Sequence, residues 1–506
     1  MAKTVFFDER EWTNYHLTVR DVPIAGRFEL HNSGGAATLA QMAQSAAVVQ
    51  ALIGRAFQER RRLRAQGAAW SFSDAAAIAG GWSLATGYAN ALFPLPATHV
   101  VPEFSGDRAG LFLCQTGVAV SELNKVLEQR GRSLATTGAS NGQTFVGAMS
   151  TGTHGSAIDL PAIQGQVAAF QLLPSPDRNL WVERASRPVT DGRMAAEMSA
   201  TLVRDDRLFA AALVGLGAFG IIHAVLVETV PIFLLEVTRS RMPLTEELKR
   251  AMVGGGFDGV ALPRQGTRPY FFQSVVNQHI DPGQAYVTTG YKLPWDPSHE
   301  LNYSERNKRG PGYNLAVVVS NLLEAFPGLT PPITKAVMQD QLSPINARRS
   351  TWGQSFNFTT PRAGVAGASI AVPSDRVTEV LDLFQRSLKT VGKAPVAFAC
   401  RYAVRSPGLL AFVRFPRTTI VDIDGIDNRA TRALMTQAVA DLRSAGIPHA
   451  EHWGKLNQLT AESVRAIYGS DLDGWIKART DLLDRQGEYV FGSPFLDRLG
   501  MTAPTF

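Results

Sequence analysis

A dense run of small residues from Gly138 to Ser156 constrains this chain more than any other feature of its sequence. The segment holds five glycines in nineteen residues and ends Ser150-Thr-Gly-Thr-His-Gly-Ser156. Glycine allows a backbone to approach a ligand closely, and small neighbours leave the backbone N–H groups open to it. Serine and threonine hydroxyls add donors. The segment is therefore suited to hold a phosphate-bearing group without a metal, although such a stretch can also be a plain connection.

A second, shorter segment of the same kind covers residues 67–74. It follows a predicted strand, Leu63–Gln66, and contains Ser71 and Ser73. Two such loops are a stronger indication than either alone, because their amides can converge on one pyrophosphate. No Gly-x-Gly-x-x-Gly motif opens a helix after a strand, and there is no P-loop. An ordinary Rossmann site and a P-loop site are therefore both excluded.

The length and charge of the chain bound its class. Its 506 residues are too many for one ordinary core, so two domains are expected. Hydrophobic residues make up 45% and charged residues 19%, which is typical of a globular protein. The densest basic run, Arg60, Arg61, Arg62 and Arg64, could mark a polyanion site. We interpret it as a solvated helix end, because no nucleic-acid motif accompanies it, and we expect no nucleic-acid partner.

Cysteine usage and hydrophobic runs indicate the compartment. Cys114 and Cys400 are the only cysteines, which excludes a disulfide framework and a cysteine metal site, and no metal site is predicted. The segment Met1–Trp12 carries charges where a signal peptide needs an apolar run, so we expect a cytoplasmic protein. The uncharged stretch Leu208–Val227 could span a bilayer in length, but its glycines and His223 favour a short helix, a glycine turn and a buried strand. No membrane span is predicted.

Hydrophobic periodicity gives a coarse map of the other elements. Helices are predicted at residues 36–62, 374–391 and 428–445, with a further helix that Ser121 caps. Strands are predicted at residues 110–116, 167–173, 180–183 and 286–291. The amino-acid composition changes after Pro231, where prolines, aromatic residues and polar loops become frequent. A domain boundary is therefore expected near residue 232.

Taken together, these segments resemble the vanillyl-alcohol oxidase superfamily of FAD-linked oxidases, nearest its branch of aldonolactone, alditol and sterol oxidases. The matching motifs are Arg64-Ala-Gln-Gly-Ala-Ala-Trp-Ser-Phe-Ser73, Gly117-Val-Ala-Val-Ser-Glu-Leu-Asn124, Thr144-Phe-Val-Gly-Ala-Met-Ser-Thr-Gly-Thr-His-Gly-Ser156, Leu216-Gly-Ala-Phe-Gly-Ile-Ile222 and His452-Trp-Gly-Lys-Leu456. The third motif is the most specific. The likeness covers about residues 30–232 well, the last sixty residues moderately and the middle poorly.

The resemblance implies an α+β fold with FAD as cofactor. A PCMH-type FAD-binding domain of two α/β subdomains is expected over residues 1–232. A substrate domain, with an antiparallel sheet flanked by helices, is expected over 233–445, and residues 446–506 should return to the FAD domain and active site. The implied cofactor-binding residues are Gly67, Ala68, Ala69, Trp70, Ser71, Phe72, Ser73, Gly138, Gly142, Thr144, Gly147, Ser150, Thr151, Thr153, His154, Gly155, Ser156, Gly220, Ile221 and Ile222.

Two departures from the family pattern bear on how FAD is held. Many members join a histidine covalently to the flavin at the position where this chain has Trp70, and an indole cannot make that bond. Bicovalent members carry a cysteine in the second loop, where this chain has none, and Cys114 is predicted to be a small buried residue on a strand. FAD is therefore expected to be held without a covalent link, which implies a milder oxidant.

The resemblance also implies three catalytic residues. His452 would be a base or a hydrogen-bond partner of the substrate. Lys455 would stabilise negative charge on the flavin or the substrate oxygen, and Arg401 an alkoxide or the reduced flavin. The alternatives are a surface turn for the first two residues and an ordinary salt bridge for the arginine. Thr144 aligns with a family hydroxyl near the flavin.

The middle of the chain departs further. The branch has a Glu-x-Arg pair and a nearby histidine, which align here with Ala399-Cys-Arg401 and with Asp422. Loss of the glutamate puts a polyol or lactone substrate in doubt and slightly favours a less polar one. The aromatic residues of this region are interpreted as core rather than as a substrate cage. They are Tyr270, Phe271, Phe272, Tyr286, Tyr291, Trp295 and Phe358.

His154 lies among the glycines of the second loop. It could be a general base or a ligand, or it could fix the loop through hydrogen bonds of its ring nitrogens to the backbone. The structural role is favoured, because no second histidine or carboxylate lies at ligand spacing in the sequence.

The leading functional hypothesis is an FAD-dependent alcohol oxidase or dehydrogenase. It would transfer a hydride from a CH–OH group of a small organic substrate to the flavin N5, and dioxygen or another acceptor would reoxidise the flavin. One alternative is an FAD-dependent tailoring oxidoreductase of an aromatic or polycyclic metabolite. Another is a flavin-binding protein without catalysis, which the missing histidine link and glutamate leave open.

Overall fold

The computed structural model describes residues 1–35, 37–303, 321–357 and 362–502. Helices and strands are mixed along the chain, and antiparallel sheet dominates the second half. This arrangement confirms the α+β class. The division into residues 1–232, 233–445 and 446–506 stays a prediction.

The described strands and helices have the following bounds. The strands are β1 (Lys3–Phe7), β2 (Glu11–Trp12), β3 (Val22–Pro23), β4 (Gly26–His31), β5 (Leu63–Gln66), β6 (Trp82–Tyr88), β7 (Leu92–Pro94), β8 (Leu111–Gln115), β9 (Arg132–Ser133), β10 (Val167–Ser175), β11 (Arg178–Glu183), β12 (Thr201–Arg204), β13 (Ile221–Glu228), β14 (Val230–Pro231), β15 (Leu234–Pro243), β16 (Phe271–Val276), β17 (Gln284–Leu293), β18 (Ile345–Thr351), β19 (Val365–Pro373), β20 (Val396–Val404), β21 (Arg417–Ile426) and β22 (Ala450–Glu451). The helices are Leu39–Gln58, Val120–Glu128, Phe145–Thr151, Gly192–Glu197, Asp206–Leu213, Glu246–Met252, Thr330–Gln341, Trp352–Ser355, Val377–Val391, Arg429–Ser444, Ala461–Tyr468, Ser470–Leu482, Arg485–Val490 and Pro494–Arg498.

Two sheets and a long helix organise the first half of the chain. Strands β1-β4-β6-β5 form one sheet, in which β4, β6 and β5 are parallel, and β12-β11-β10-β13-β8-β7 form the other, which is mostly antiparallel. The helix Leu39–Gln58 contacts strands of both sheets through an apolar face. Thr38 accepts a hydrogen bond from the Gln41 amide, and this cap explains why the helix begins at Leu39.

An eight-stranded antiparallel sheet, in the order β18-β15-β17-β16-β20-β21-β19-β22, organises the second half. The amphipathic helices Val377–Val391 and Arg429–Ser444 cover one face, where Phe384 and Leu434 share a core with Phe398. The opposite face is turned towards the glycine-rich loops. The sheet therefore has one face for stability and one for a ligand.

Buried side chains from the end of the chain join the core of the first half. Trp453, Trp475 and Phe495 pack in the same apolar cluster as Phe170 and Phe219. The last helices therefore hold the segment around Trp453 against the first half of the chain, which matters for the site below.

Several local predictions can be compared directly with the structure. The strand Leu63–Gln66 is confirmed, and the stretch Leu208–Val227 is the expected helix, turn and strand. The cap assigned to Ser121 is wrong, because the helix begins one residue earlier and its N-cap, Ala119, makes no side-chain hydrogen bond. Among the described helices, none combines the length and apolarity that a membrane crossing requires.

Candidate active site

A cavity of about 610 Å³ lies between the glycine-rich loops and the ligand-facing side of the eight-stranded sheet. This volume is within the range of ligand sites, roughly 300–1,000 Å³. Sequence-predicted residues that line it are Gly67, Ala68, Ala69, Trp70, Ser71, Phe72, Gly138, Thr144, Gly147, Ser150, Thr151, Thr153, His154, Gly220, Ile221, Ile222, Arg401, His452 and Lys455. Segments more than three hundred residues apart in sequence therefore meet in one place.

Four of the predicted cofactor-binding residues lie outside the cavity lining and instead hold the loops in place. The Ser73 hydroxyl donates to the Trp453 carbonyl at 2.6 Å, and Gly142 lies under the Trp70 ring. Gly155 packs tightly on the Thr137 carbonyl. Ser156 bridges to the sheet, since its hydroxyl donates to the Phe272 carbonyl and accepts from the Tyr402 amide.

The carbonyls of the first loop are held by the N-terminal segment. The Ala69 carbonyl accepts from the Tyr15 amide at 2.9 Å, and the Ser71 carbonyl accepts from the Asn14 side chain at 2.7 Å. In a planar trans peptide the N–H group points opposite to the carbonyl, so the Trp70 N–H points away from Tyr15, whereas the Phe72 N–H donates to the Gly454 carbonyl. Ala69 has φ of 53°, a left-handed conformation typical of backbone anion-binding turns.

The two glycine-rich loops touch at Gly67 and Thr144. A Cβ at Gly67 would lie 2.0 Å from Thr144 Oγ1, so only glycine permits this contact. Thr144 caps the helix Phe145–Thr151, and its hydroxyl accepts from the Gly147 amide at 3.3 Å. The hydroxyl that the sequence placed near the flavin thus has a clear role in joining the loops.

Trp70 occupies the position that the family resemblance assigns to a flavin-linked histidine. Its ring stacks on Tyr15, with centroids 4.6 Å apart and an angle of 16° between the planes. A Cβ at Gly142 would lie 2.1 Å from the indole ring. The indole therefore joins the first loop to the second through packing, and offers the flavin no nucleophilic nitrogen.

Strand β20 presents alternate residues to the cavity. Ala397, Ala399 and Arg401 line it, whereas Phe398 and Cys400 are buried on the opposite face. This is the two-residue period of a strand. Burial raises the pKa of Cys400 to about 12, so this thiol is protonated at neutral pH.

Arg401 forms an ion pair within the sheet and also reaches the cavity. Its Nη1 lies 3.0 Å from Oδ2 of Asp422, a fully buried carboxylate on the adjacent strand β21. The Ser369 hydroxyl donates to the other oxygen of Asp422. The pair fixes the guanidinium in position, so the salt-bridge alternative and the cavity-lining role both describe this residue.

The C-terminal motif is held between the first loop and the sheet. The Phe72 amide donates to the Gly454 carbonyl at 2.7 Å, and the His452 amide donates to the Ser369 carbonyl at 3.0 Å. Lys455 Nζ lies 3.2 Å from Oδ1 of Asp424, another cavity-lining residue. The surface-turn alternative for His452 is wrong, because this residue is only 6% exposed.

The protonation of His452 follows from its contacts. The Gly454 amide donates to Nδ1 at 2.9 Å, so Nδ1 carries the lone pair and the neutral ring has its proton on Nε2. Burial, with nearby His154 and Lys455, holds the pKa of His452 well below its ordinary value. Of the two roles left open by the sequence, this geometry favours hydrogen-bond donation over proton abstraction.

His154 has neighbours that the sequence spacing did not reveal. Its ring centroid lies 6.0 Å from that of His452, and its Nε2 lies 4.0 Å from Oδ1 of Asp422. Its Nδ1 is 3.2 Å from the Gly155 carbonyl, which agrees with the favoured loop-fixing role. Burial and the Arg401 charge lower the pKa of His154 to about 3, so the ring is neutral. The sequence near His154 has no second histidine or carboxylate at ligand spacing, and it did not reveal these neighbours because Asp422 and His452 lie far away along the chain.

The aromatic side chains of the middle region do not form a cage. None of the described members of that set lines the cavity, and Phe358 lies outside the described residues. Phe271 and Phe272 pack in separate apolar cores, and Tyr270 donates its hydroxyl to the Ala135 carbonyl. The core interpretation agrees with these contacts.

Arg64 is a cavity-lining residue that the sequence reasoning did not assign to the cofactor. It is 3% exposed and donates from Nη1 to the Leu216 carbonyl, but within the described residues Nε and Nη2 have no hydrogen-bond partner. Burial, with Arg62 and Arg479 nearby, lowers the pKa of Arg64 to about 10, which still leaves it charged. Its position just before the first loop was the available signal, but we read it as part of a solvated basic run.

These residues fit a dinucleotide. A buried guanidinium with unpaired donors beside two glycine-rich loops is chemically suited to a diphosphate, and the surrounding hydroxyls add donors. Where the sheet and the C-terminal motif meet, Arg401, His452 and Lys455 are suited to stabilise negative charge on a reduced ring system.

Comparisons with known proteins give the same assignment. No protein-family profile matches the chain. The L-gulono-1,4-lactone dehydrogenase of Mycobacterium tuberculosis is 29% identical over 199 residues, which is 39% of each chain. A crystal structure of cholesterol oxidase from Brevibacterium sterolicum superimposes with a TM-score of 0.66 at 12% identity, covering 98% of this chain and 97% of that one.

A second solved structure and the extent of the matches complete the comparison. A VAO-type flavoprotein from Myceliophthora thermophila superimposes with a TM-score of 0.61 at 13% identity, covering 94% of this chain and 80% of that one. The matched regions span between 19% and 39% of the lengths of the first curated relatives. The fold, the paired loops and these relatives support FAD as the cofactor. The chain has the fold of cholesterol oxidase and of a VAO-type flavoprotein, and over part of its length it is similar in sequence to aldonolactone oxidases and dehydrogenases.

Proposed function

We propose that the chain is an FAD-dependent oxidoreductase that oxidises a CH–OH group of a small organic substrate. The observation that carries the proposal is the meeting of Arg401, His452 and Lys455 with both glycine-rich loops in one cavity. A bound flavin supplies the hydride acceptor, so that the alcohol loses a hydride from carbon and a proton from oxygen and becomes a carbonyl. Dioxygen or another acceptor then takes the electrons from the reduced cofactor.

The chain's own residues bind and orient the substrate oxygen. The Nε2–H group of His452 donates a hydrogen bond to it, and the cationic side chains of Arg401 and Lys455 stabilise the negative charge that develops as the proton leaves. His452 is neutral and its Nδ1 is engaged by Gly454, so the hydroxyl proton passes to the cavity-lining carboxylate of Asp424 or to water. The two cations face carboxylates that keep them in place, Asp422 for Arg401 and Asp424 for Lys455.

FAD is held without a covalent bond in this proposal. Trp70 stands at the position of the linking histidine, and its ring is fixed between Tyr15 and Gly142. Both cysteines are buried, and neither lines the cavity. We propose residues 1–232 as the FAD-binding domain, 233–445 as the substrate domain and 446–506 as the returning segment, with the reducing cytoplasm as the compartment.

The experiment that tests the proposal is an absorbance spectrum of the purified protein before and after acid precipitation. Non-covalent FAD gives bands at about 370 and 450 nm that pass into the supernatant. Anaerobic addition of alcohols should then bleach the 450 nm band. Colour retained in the pellet would contradict non-covalent binding, and a flavin that no alcohol bleaches would favour the flavin-binding protein without catalysis. The reoxidation rate of the reduced protein in air distinguishes an oxidase from a dehydrogenase.

The tailoring oxidoreductase of an aromatic or polycyclic metabolite is a second candidate. It is favoured by Ala399, which lines the cavity at the position where the family resemblance implies a glutamate. It uses the same cofactor and the same polar cluster and differs only in the body of the substrate.

A further inference from the structure

The part of the cavity farthest from the glycine-rich loops has an aliphatic wall. On the sheet, Val275 of β16 is directly opposite Ala399 of β20, and Ala397 follows on the same face. The helix Thr330–Gln341 closes this face from outside, because Met338 packs in one apolar cluster with Val275 and Ala399. Every one of these side chains also lines the cavity.

The charged groups lie on one side of this wall. Arg401 follows Ala399 on strand β20, and Asp424 of β21 is directly opposite Ala397, with His452 and Lys455 beyond it in the C-terminal motif. The two cations are paired with carboxylates. A ligand that enters the cavity therefore meets charged groups on one side and an apolar wall on the other. This distribution suits a molecule with one hydroxyl at its end.

The wall itself contains few polar groups. Gln273, Thr334 and Gln341 are its uncharged polar members. Among the described residues, Thr334 Oγ1 has no hydrogen-bond partner, so it can accommodate a single polar atom on the body of a ligand. A polyol has many hydroxyls, and most would lose water without a partner here. Each such loss should weaken binding at least about fivefold.

The wall also lacks aromatic rings among the described residues that belong to the sheet and the helix. Flat aromatic ligands gain from stacking on rings, whereas saturated ring systems gain from aliphatic contact. Val337 lies in the same helix, lines the cavity and is 36% exposed. The rim of the cavity is therefore apolar where this helix meets solvent, as entry of an apolar molecule requires.

We propose that the site takes a predominantly aliphatic or alicyclic alcohol, with one hydroxyl beside Arg401 and His452 and its hydrocarbon body against Val275, Met338 and Ala399. The proposal rests on the proposed function and names its substrate class. Burying each additional methylene against this wall should strengthen binding about fourfold. Additional hydroxyls on the hydrocarbon body of the ligand should weaken binding.

The first test compares matched alcohols on the FAD-loaded full chain. Cyclohexanol and myo-inositol share a six-membered ring and differ in the number of hydroxyls, and decahydro-2-naphthol extends the hydrocarbon body. L-gulono-1,4-lactone represents the polar class. Two readouts are taken for each compound, namely the perturbation of the flavin spectrum on titration, which reports binding, and kcat/KM for anaerobic flavin reduction. Decahydro-2-naphthol should exceed cyclohexanol at least about tenfold in both readouts, and cyclohexanol should exceed myo-inositol.

The second test uses a matched pair of variants. Met338→Gln places an amide in the wall with little change of volume, and Met242→Gln makes the same change at a half-buried site outside the cavity. Met338→Gln should lower kcat/KM for decahydro-2-naphthol at least about fivefold, leave FAD affinity unchanged and reduce the preference over myo-inositol. Met242→Gln should leave all three quantities unchanged. Equal effects of the two variants would overturn the assignment of the wall.

The two readouts separate this inference from the proposed function. If decahydro-2-naphthol binds but does not reduce the flavin, the substrate class stands and alcohol oxidation is overturned. If the lactone or myo-inositol reduces the flavin with the higher kcat/KM, alcohol oxidation stands and the aliphatic class is overturned. If the apolar alcohols neither bind nor react, the inference is overturned directly.

Discussion

The cavity has two halves that are built in different ways. The cofactor half consists of contiguous loops, residues 67–72 and 138–154, which act through backbone groups, hydroxyls and the nearby Arg64. The substrate half consists of single side chains from strands β16, β20 and β21, the helix Thr330–Gln341 and the C-terminal motif. Backbone recognition needs close approach and therefore tolerates little substitution. Recognition by side chains tolerates substitution, because replacing a side chain changes which ligand is bound and leaves the backbone in place. One half should therefore control whether FAD binds, and the other which molecule reacts.

The largest expected effect is the loss of turnover without loss of cofactor when Arg401 is replaced. Arg401→Met should lower kcat for flavin reduction about 10²–10³-fold, because the cation that faces the developing negative charge is removed. The dissociation constant of FAD should change less than about twofold. Stopped-flow reduction and FAD titration of the apoprotein measure the two quantities.

Controls for this variant address folding and position. Arg401→Met leaves the buried Asp422 unpaired, so a second variant with Asp422→Asn in addition removes both charges and keeps an acceptor for the Ser369 hydroxyl. Arg417→Met, at the exposed end of β21, should leave turnover unchanged. Loss of FAD from a folded Arg401 variant would show that Arg401 also contributes to FAD binding and that the two halves do not act independently.

The second prediction concerns the contact between the two loops. In Gly67→Ala the new Cβ would lie 2.0 Å from Thr144 Oγ1, so one loop must move and its amides leave the phosphate-binding position. FAD affinity should fall about 100-fold, as misplacement of a binding group by one ångström can cost. The measurement is quenching of FAD fluorescence on binding to the apoprotein.

A matched alanine and a compensating change make this result specific. Gly87 lies in β6 with open space around the position of a Cβ, so Gly87→Ala should leave FAD affinity unchanged. Adding Thr144→Ala to Gly67→Ala removes the clashing Oγ1 and should restore part of the affinity. An unchanged affinity in Gly67→Ala alone would show that the loop contact does not position the amides.

The same difference in construction explains how far the sequence could predict the site. The loops are continuous in sequence, so Gly67, Thr144 and Gly147 could be recognised as a pattern and all lie at the cavity. The substrate wall could not, because Val275 and Ala399 become neighbours only through strand pairing across more than one hundred residues. Nothing local to Met338 indicates that its helix closes the same face.

Arg64 and Ser121 show two local limits of sequence reasoning. Arg64 stands next to Arg60, Arg61 and Arg62, and charge density alone does not distinguish a buried guanidinium from a solvated one. Leu63, Arg64 and Gln66 of β5 are all buried, so strand alternation would not have separated Arg64 from the run either. Ser121 is a good capping residue, yet the chain enters that helix one residue earlier, after a bridge between Ala119 and Thr144. Tertiary pairing of the second loop therefore overrode a local preference.

The third prediction is acid lability from buried neutral histidines in both halves. Burial lowers the pKa of His223 to about 4, and burial with the Arg401 charge lowers that of His154 to about 3. The unfolded chain takes up these protons near pH 6.5, so stability is fully present above that pH and is lost as the pH falls towards the folded values. Each histidine should cost roughly 2 kcal/mol between pH 7 and pH 5.

Denaturant unfolding at pH 7, 6 and 5 measures this loss, and two variants assign it. His223 lies among Gln115, Gln171 and Ser45 in the cofactor half, and His223→Gln keeps a polar group there. His154→Gln does the same at the cavity. Each variant should remove roughly 2 kcal/mol of the loss between pH 7 and pH 5, and the remainder comes from the other buried histidines, such as His452. A flattening confined to His223→Gln would show that water reaches His154 in the apoprotein.

The smallest expected effect is that of replacing Arg64. This substitution tests the cofactor half most directly, because it should stabilise the protein without FAD and weaken the binding of FAD. Without FAD, the guanidinium of Arg64 is a buried charge with two unsatisfied nitrogens among the described residues, which destabilises the fold. With FAD, those nitrogens can donate to the diphosphate. Arg64→Met should therefore raise the melting temperature of the apoprotein by a few degrees and weaken FAD binding roughly tenfold. Arg207→Met, which removes an exposed partner of Asp481, should change neither quantity. If Arg64→Met lowers apoprotein stability and leaves FAD affinity intact, the arginine is a structural brace for the Leu216 turn, and the cofactor half acts through its loops alone.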